Sequence, residues 1–88
     1  MHYIYIIKSE RSGKIYCGFS SDLRQRIIDH NSGKSNYTSN YRPWRLVYYE
    51  AYSHKEDAQK RERQLKNNRN VMKFLKQRIE RSIKDHEN

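Results

Sequence analysis

From His2 to Lys8 the chain alternates aromatic and aliphatic residues, with Ile4 and Ile6 on one side and Tyr3, Tyr5 and Ile7 on the other. That two-residue period predicts a strand. Lys14 to Phe19 repeats it, setting Ile15, Cys17 and Phe19 against Tyr16 and Gly18. The polar stretch Ser9 to Gly13 between them has hairpin length and ends in glycine, so the two strands are expected to pair antiparallel. Asp22 to about Asn31 reads as a helix, capped by Ser20 or Ser21, with Asp22 in its first turn and Leu23 and Ile27 turned inward. Asn31-Ser32-Gly33 is its stop signal. Ser35 to Pro43 reads as a loop. Trp44 to Tyr52 alternates as a third strand, with Trp44, Leu46, Tyr48 and Tyr52 on one face and Val47, Tyr49 and Ala51 on the other. Ser53-His54-Lys55-Glu56 has the form of a capping box opening a second helix, which Asn67-Asn68 interrupts. Val71, Leu75 and Ile79, with Met72, Phe74 and Ile83 nearby, form the apolar stripe of a third. The order β-β-α-β-α-α predicts a small α/β (α+β) domain whose hairpin sheet is covered by helices.

Composition changes this picture in two ways. The chain has 88 residues and a formal net charge of +9, with only 34% hydrophobic residues, a balance that borders on disorder. Eight tyrosines supply the missing apolar volume. The length predicts one domain over residues 1–88. No run is long and apolar enough to span a membrane, and the N-terminus lacks a secretory signal. The single cysteine, Cys17, cannot form an internal disulfide or a cysteine zinc site, which points to a reducing, cytoplasmic setting. The positive charge points to a polyanionic partner, nucleic acid being the commonest.

Several residues exceed what a fold requires. Glu62 lies one turn after Ala58, inside the stripe that Ala58 and Leu65 define, where a carboxylate needs a cation. The carboxylate either pairs with a neighbouring Lys or Arg, or reaches solvent from a rim position, or binds a metal. Arg26 and His30 are four apart and share a helix face; they form either a solvated polar face or a phosphate contact, for which a guanidinium fork and an imidazole are both suited. Tyr3, Tyr5 and Tyr16 gather phenols on paired strands, as packing pairs or as groups that bind a phosphate or activate water. From Lys60 to Arg81, nine residues are basic and two acidic. Within this run Lys60, Arg63, Lys66, Arg69, Lys73 and Lys76 are the candidate nucleic-acid contacts. Tyr37, Tyr41 and Trp44 could stack on bases or fold their loop back on the sheet.

Tyr3-Ile4-Tyr5, Ile15-Tyr16-Cys17-Gly18, Asp22 to Arg26 with His30, and Ala58 to Glu62 together resemble the GIY-YIG nuclease superfamily. Thr38, Arg42-Pro43-Trp44, Leu46-Val47-Tyr48 and Ala58 to Lys66 are similar to its small stand-alone bacterial members. The ordered set carries the resemblance, with eleven residues from Tyr5 to Tyr16 and ten more to Arg26. It covers the chain to about residue 80 and leaves 81–88 as a tail expected to fray. It implies a three-stranded antiparallel sheet and a phosphodiesterase site on one sheet face. Tyr5 or Tyr16 would activate or orient water, Arg26 would steady the phosphate, and His30 would handle a proton or touch the phosphate. Glu62 would hold one divalent cation, Mg²⁺ or Mn²⁺. The implied activity is endonucleolytic cleavage of DNA, less so RNA, as in repair or processing; a non-catalytic nucleic-acid-binding domain is the alternative. Two positions depart from the pattern: Tyr3 stands where the first motif has glycine, and Cys17 replaces an aliphatic residue of the second. Phe74 falls near a place where many members carry asparagine.

Overall fold

The computed structural model describes residues 1–84. Strand β1 (His2–Ser9) lies at the centre of a three-stranded antiparallel sheet, with β2 (Ile15–Ser20) on one side and β3 (Trp44–Tyr52) on the other. Because β1 is covered on both faces, Ile4, Tyr5, Ile6 and Ile7 are all buried in succession. Helices α3 (Lys55–Asn67) and α4 (Arg69–Arg78) cover the face carrying Ile4, Ile6 and Cys17, through Ala58, Leu65, Leu75 and Ile79. The opposite face packs Tyr5, Ile7 and Trp44 with Tyr16, Leu23, Ile27, Tyr41 and Leu46. Leu23 and Ile27 come from helix α1 (Leu23–Ser32).

The order read from the sequence holds, with two short additions. A four-residue helix, α2 (Asn36–Ser39), forms inside the segment expected to be loop. The last helix divides at Ile79, leaving α5 (Glu80–Lys84) as a separate turn where fraying was expected. Lys8 Nζ donates to the Ile83 carbonyl, and Arg45 donates to the carbonyls of Ser82 and Ile83, so cations hold the carbonyl end of α5 against the sheet. The rest of the expected tail, 85–88, lies outside the described residues.

Local chemistry shifts several boundaries. Asp22 is itself the N-cap of α1, its carboxylate accepting from the Gln25 N–H at 3.2 Å, so it stands one step before the first turn. Gly33 closes α1 in the left-handed conformation at φ 90°. The capping box at Ser53 does not form: His54 occupies the N-cap position without a side-chain cap, and Glu56 and Asp57 supply the first-turn negative charge. Asn68 ends α3 and caps α4, accepting from the N–H groups of Asn70 and Val71. Strand β3 departs most from its expected alternation. Ile6 faces Tyr48 and Ile7 faces Leu46, which leaves Val47 as an extra residue. Trp44 and Leu46 therefore face α1, while Val47, Tyr48 and Tyr52 pack under α3 and α4. Phe74, read as part of the apolar stripe, points outward and is 64% exposed.

Candidate active site

The face under α1 brings four of the candidate residues together. Tyr5 sits on the central strand, opposite Gly18 on β2, and Tyr16 lies two pairs further along, opposite Ile7. Their ring centres are 6.5 Å apart. Arg26 extends from α1 beside both phenols. One turn later His30 is fully buried, its ring 5.7 Å from Tyr5 and 5.2 Å from Tyr16. Tyr5 Oη and His30 Nε2 share a hydrogen bond of 2.7 Å, and His30 Nδ1 and Thr38 Oγ1 share one of 2.8 Å. Arg26 and His30 thus face the phenols and do not form a solvated polar surface.

The loop before β3 completes this pocket. Asn31 clamps the end of α1 to the start of β3: its amide donates to the Trp44 carbonyl at 3.0 Å, and its oxygen accepts from the Trp44 N–H at 2.6 Å. The buried Trp44 indole donates to the Thr38 carbonyl at 2.8 Å, which pins α2 over the site. Trp44 therefore folds the loop back on the sheet. Tyr37 remains 55% exposed, with its ring 5.9 Å from Tyr16. Thr38, fully buried against His30, carries the least sequence signal of the residues in this pocket; only its place among the resembling residues singled it out.

Burial sets the ionisation of the cluster. It lifts the Tyr5 phenol to about 12, against the opposing pull of the nearby Arg26 guanidinium. His30 drops to about 4, first because it is buried and second because Arg26 disfavours another cation there. The imidazole is neutral at pH 7. Cys17, on the other face, is pushed up to about 11 by burial, which keeps its thiol protonated and inert.

Glu62 belongs to helix α3, in the layer on the opposite face of the sheet, and is linked to the phenols through Lys66. Its carboxylate pairs with Lys66 Nζ at 3.0 Å, and that ammonium stands 5.6 Å from the centre of the Tyr16 ring. A neighbouring lysine is thus the cation that the inward carboxylate required. Helix α3 is held in this position by Glu50, whose importance the sequence did not signal. Arg61 Nε donates to Glu50 Oε1 at 3.0 Å and Nη2 to Oε2 at 3.1 Å. The Tyr48 hydroxyl donates to the same carboxylate at 2.6 Å, and Tyr52 donates as well. These donors hold Glu50 below the usual carboxylate range despite its burial. Arg61 and Glu62 are adjacent, so the clamp on one fixes the direction of the other.

Among the described residues, no three His, Cys, Asp or Glu side chains gather into a metal-binding cluster. A lone carboxylate such as Glu62 does fit a hard, hydrated cation that takes most of its oxygens from water and substrate. Lys66 also opens onto a groove of about 700 Å³, lined by Arg69, Lys73 and Lys76 over a floor containing Leu65 and Met72. Lys60 and Arg63, the other candidate contacts, lie outside this groove. Lys60 is turned away from the buried Ala58 side of α3.

The GIY-YIG catalytic domain family model matches residues 1–76. The chain belongs to this family. It is 46% identical over 66 residues to the UPF0213 protein SSP2268 of Staphylococcus saprophyticus, covering 74% of this chain and 79% of that one. With the UPF0213 protein SERP0126 of Staphylococcus epidermidis it shares 44% identity over the same shares of each chain. The solution NMR structure of the UPF0213 protein BH0048 from Bacillus halodurans superposes with a TM-score of 0.52 at 35% identity, covering 84% of this chain and 81% of that one. The geometry explains how a GIY-YIG domain accommodates its departures here. Tyr3 packs edge-on against Tyr49 in a half-buried position that needs no glycine. Gly18 of the second motif is required, because the Tyr5 phenol occupies the space a side chain there would fill. Cys17 is an ordinary buried apolar position of β2.

Proposed function

We propose that this domain is a divalent-metal-dependent endonuclease that hydrolyses phosphodiester bonds in DNA in preference to RNA. The convergence of Arg26 and His30 on the Tyr5–Tyr16 pair is the observation that carries this reading, and the Glu62–Lys66 pair meets that cluster where the lysine reaches the Tyr16 ring. A phosphate entering between Arg26 and Glu62 meets a fixed guanidinium, which offsets the charge that builds on the phosphoryl oxygens. Tyr5 is fully buried and hydrogen-bonded to His30, whereas Tyr16 is only half-buried. Tyr16 is therefore the phenol that reaches an attacking water and orients it toward phosphorus. His30 acts through Tyr5 and holds that phenol against Arg26. Glu62 would hold one Mg²⁺ or Mn²⁺, with Lys66 giving up the carboxylate to it. Such a cation, when bound, polarises the phosphoryl oxygen and offsets the leaving-group charge. The water oxygen forms the new bond to phosphorus and its proton is released to solvent, while the bond to the ester oxygen breaks and that oxygen takes up a proton from solvent to leave as the alcohol.

The groove beside Lys66 would hold the flanking backbone through Arg69, Lys73 and Lys76. Lys60 and Arg63, outside it, would add long-range attraction only. A second reading has its own support: the Glu62–Lys66 ion pair is complete without a metal. On that reading the same basic surface of the last two helices binds nucleic acid without cutting it.

One experiment separates the two. The protein is incubated with single-stranded, branched and duplex DNA and with RNA, in Mg²⁺ or EDTA, beside Glu62→Ala and Arg26→Ala. Cleavage that EDTA and Glu62→Ala both abolish establishes the nuclease, with Arg26→Ala expected to lose turnover while keeping most binding. Salt-sensitive binding without cleavage, indifferent to Glu62→Ala, establishes the binding domain.

A further inference from the structure

His30 uses both ring nitrogens inside the protein: Nε2 meets Tyr5 Oη at 2.7 Å and Nδ1 meets Thr38 Oγ1 at 2.8 Å. A neutral imidazole carries one proton, so one nitrogen donates and the other accepts. The distances are compatible with either arrangement. The Arg26 end of the chain of contacts is not, and the Ser35 end favours the same direction. At one end stands Arg26, beside the Tyr5 phenol, and a guanidinium can only donate. At the other end, Thr38 Oγ1 lies 3.5 Å from the Ser35 carbonyl, which can only accept. One direction of donation satisfies every member. Arg26 points its donors at Tyr5, Tyr5 donates to Nε2, Nδ1–H donates to Thr38, and Thr38 donates to Ser35. Reversed, the Tyr5 proton would be aimed at a cation, while the Thr38 proton would leave the Ser35 carbonyl for Nδ1. Tyr5 and His30 are fully buried, so water does not relieve the mismatch at Tyr5.

We propose that Thr38 is a positioning residue: its hydroxyl, anchored on the Ser35 carbonyl, fixes His30 as the Nδ1–H tautomer and thereby turns the Tyr5 hydroxyl proton inward. The consequence reaches the rim of the pocket. With its proton committed to Nε2, Tyr5 presents lone pairs to Arg26 and holds the guanidinium where a phosphate would bind. The Trp44 indole contributes by fixing the Thr38 backbone, through its bond to the Thr38 carbonyl. The tautomer follows from the contacts alone; only its effect on turnover rests on the nuclease reading.

The test is long-range ¹⁵N–¹H NMR of the His30 ring in the wild type, in Thr38→Val, which keeps shape and loses the hydroxyl, and in Thr38→Ser, which keeps the hydroxyl. The wild type is expected to show a protonated Nδ1 and a bare Nε2. In Thr38→Val the preference for that tautomer should fall by about fivefold or more, the equilibrium equivalent of one ordinary hydrogen bond. Thr38→Ser should restore it. A wild type protonated at Nε2, or a valine variant with the wild-type tautomer, overturns the proposal. Should the valine variant not fold, the wild-type spectrum decides: Nδ1–H sustains the assignment and Nε2–H ends it. In the cleavage assay, kcat is expected to fall in Thr38→Val with KM held, and to recover in Thr38→Ser. A wild type that cleaves nothing removes the nuclease reading while leaving the tautomer result intact.

Discussion

The Tyr5 phenol lies against Gly18 on the neighbouring strand, so close that a β-carbon there would overlap its hydroxyl and ring carbons. Tyr5 is fully buried and tied to His30, so it cannot swing aside cheaply. Gly18→Ala is therefore expected to destabilise the fold by about 1–3 kcal/mol, the usual cost of overfilling a core. It should also displace Tyr5 from His30. Urea unfolding measures the first effect, and the His30 ring shifts in NMR report the second. A variant of wild-type stability with unmoved His30 resonances would mean that the close approach has been misread.

This contact also shows what was legible in the chain. The strand period placed Tyr5, Tyr16 and Gly18 on one face, and an i, i+4 spacing placed Arg26 with His30, because both follow from backbone geometry alone. The Ala58–Leu65 stripe located Glu62 as an inward carboxylate for the same reason. Three features were not legible, because none follows from the period of a single strand or helix. The bulge at Val47 arises from pairing with β1 and moves Tyr48, Glu50 and Tyr52 under α3, so a strand-surface glutamate became the clamp on Arg61. The Trp44 indole organises α2 and buries Thr38. Phe74 has the spacing of a core residue, yet the turn of α4 leaves it outside.

Acid should destabilise the protein in a window set by His30. The ring titrates near its ordinary 6.5 in the unfolded chain but only at about 4 when folded. Below 6.5 the unfolded state therefore binds more protons, and the stability His30 contributes above that pH is lost as pH falls toward 4. The groups facing the ring are Arg26 and Asp29 of α1, Tyr5 of β1 and Tyr16 of β2. The Tyr5 phenol, lifted to about 12, does not titrate in this range, and Arg26 works against the imidazolium. His30→Gln should lower stability at neutral pH, where two hydrogen bonds suffer, while flattening the decline between 6.5 and 4. Thermal melts across that range check the slope; a variant as acid-sensitive as the wild type would place the titration elsewhere.

Lys66 and a divalent cation compete for one carboxylate if Glu62 is the metal ligand. The ammonium already sits 3.0 Å from Glu62 and is 44% exposed, so the pair is strained little by its removal. Lys66→Gln is then expected to tighten Mn²⁺ binding by a few fold, the worth of a partly exposed ion pair. Glu62→Gln should abolish binding at this position. Paramagnetic broadening of the Glu62, Lys66 and Tyr16 signals follows both. Unchanged or weaker Mn²⁺ affinity in Lys66→Gln would show that the ion does not displace this lysine.

The basic residues divide by position, and salt dependence reads the division. Arg69, Lys73 and Lys76 line the groove that Lys66 joins to Tyr16, whereas Lys60 projects from the outer side of α3. Each phosphate neutralised contributes about 0.7–0.9 to the slope of log affinity against log salt. Replacing Arg69, Lys73 and Lys76 together by alanine should therefore flatten that slope by about 2–3, uniformly across sequences, because backbone contacts read none. Lys60→Ala should weaken binding only at low salt and leave the slope almost unchanged, since a charge without a phosphate contact acts through a screened field. Fluorescence anisotropy with labelled DNA over a salt series measures both. Equal slopes for Lys60→Ala and the triple variant would mean that nucleic acid meets the whole charged surface and not the groove beside Tyr16.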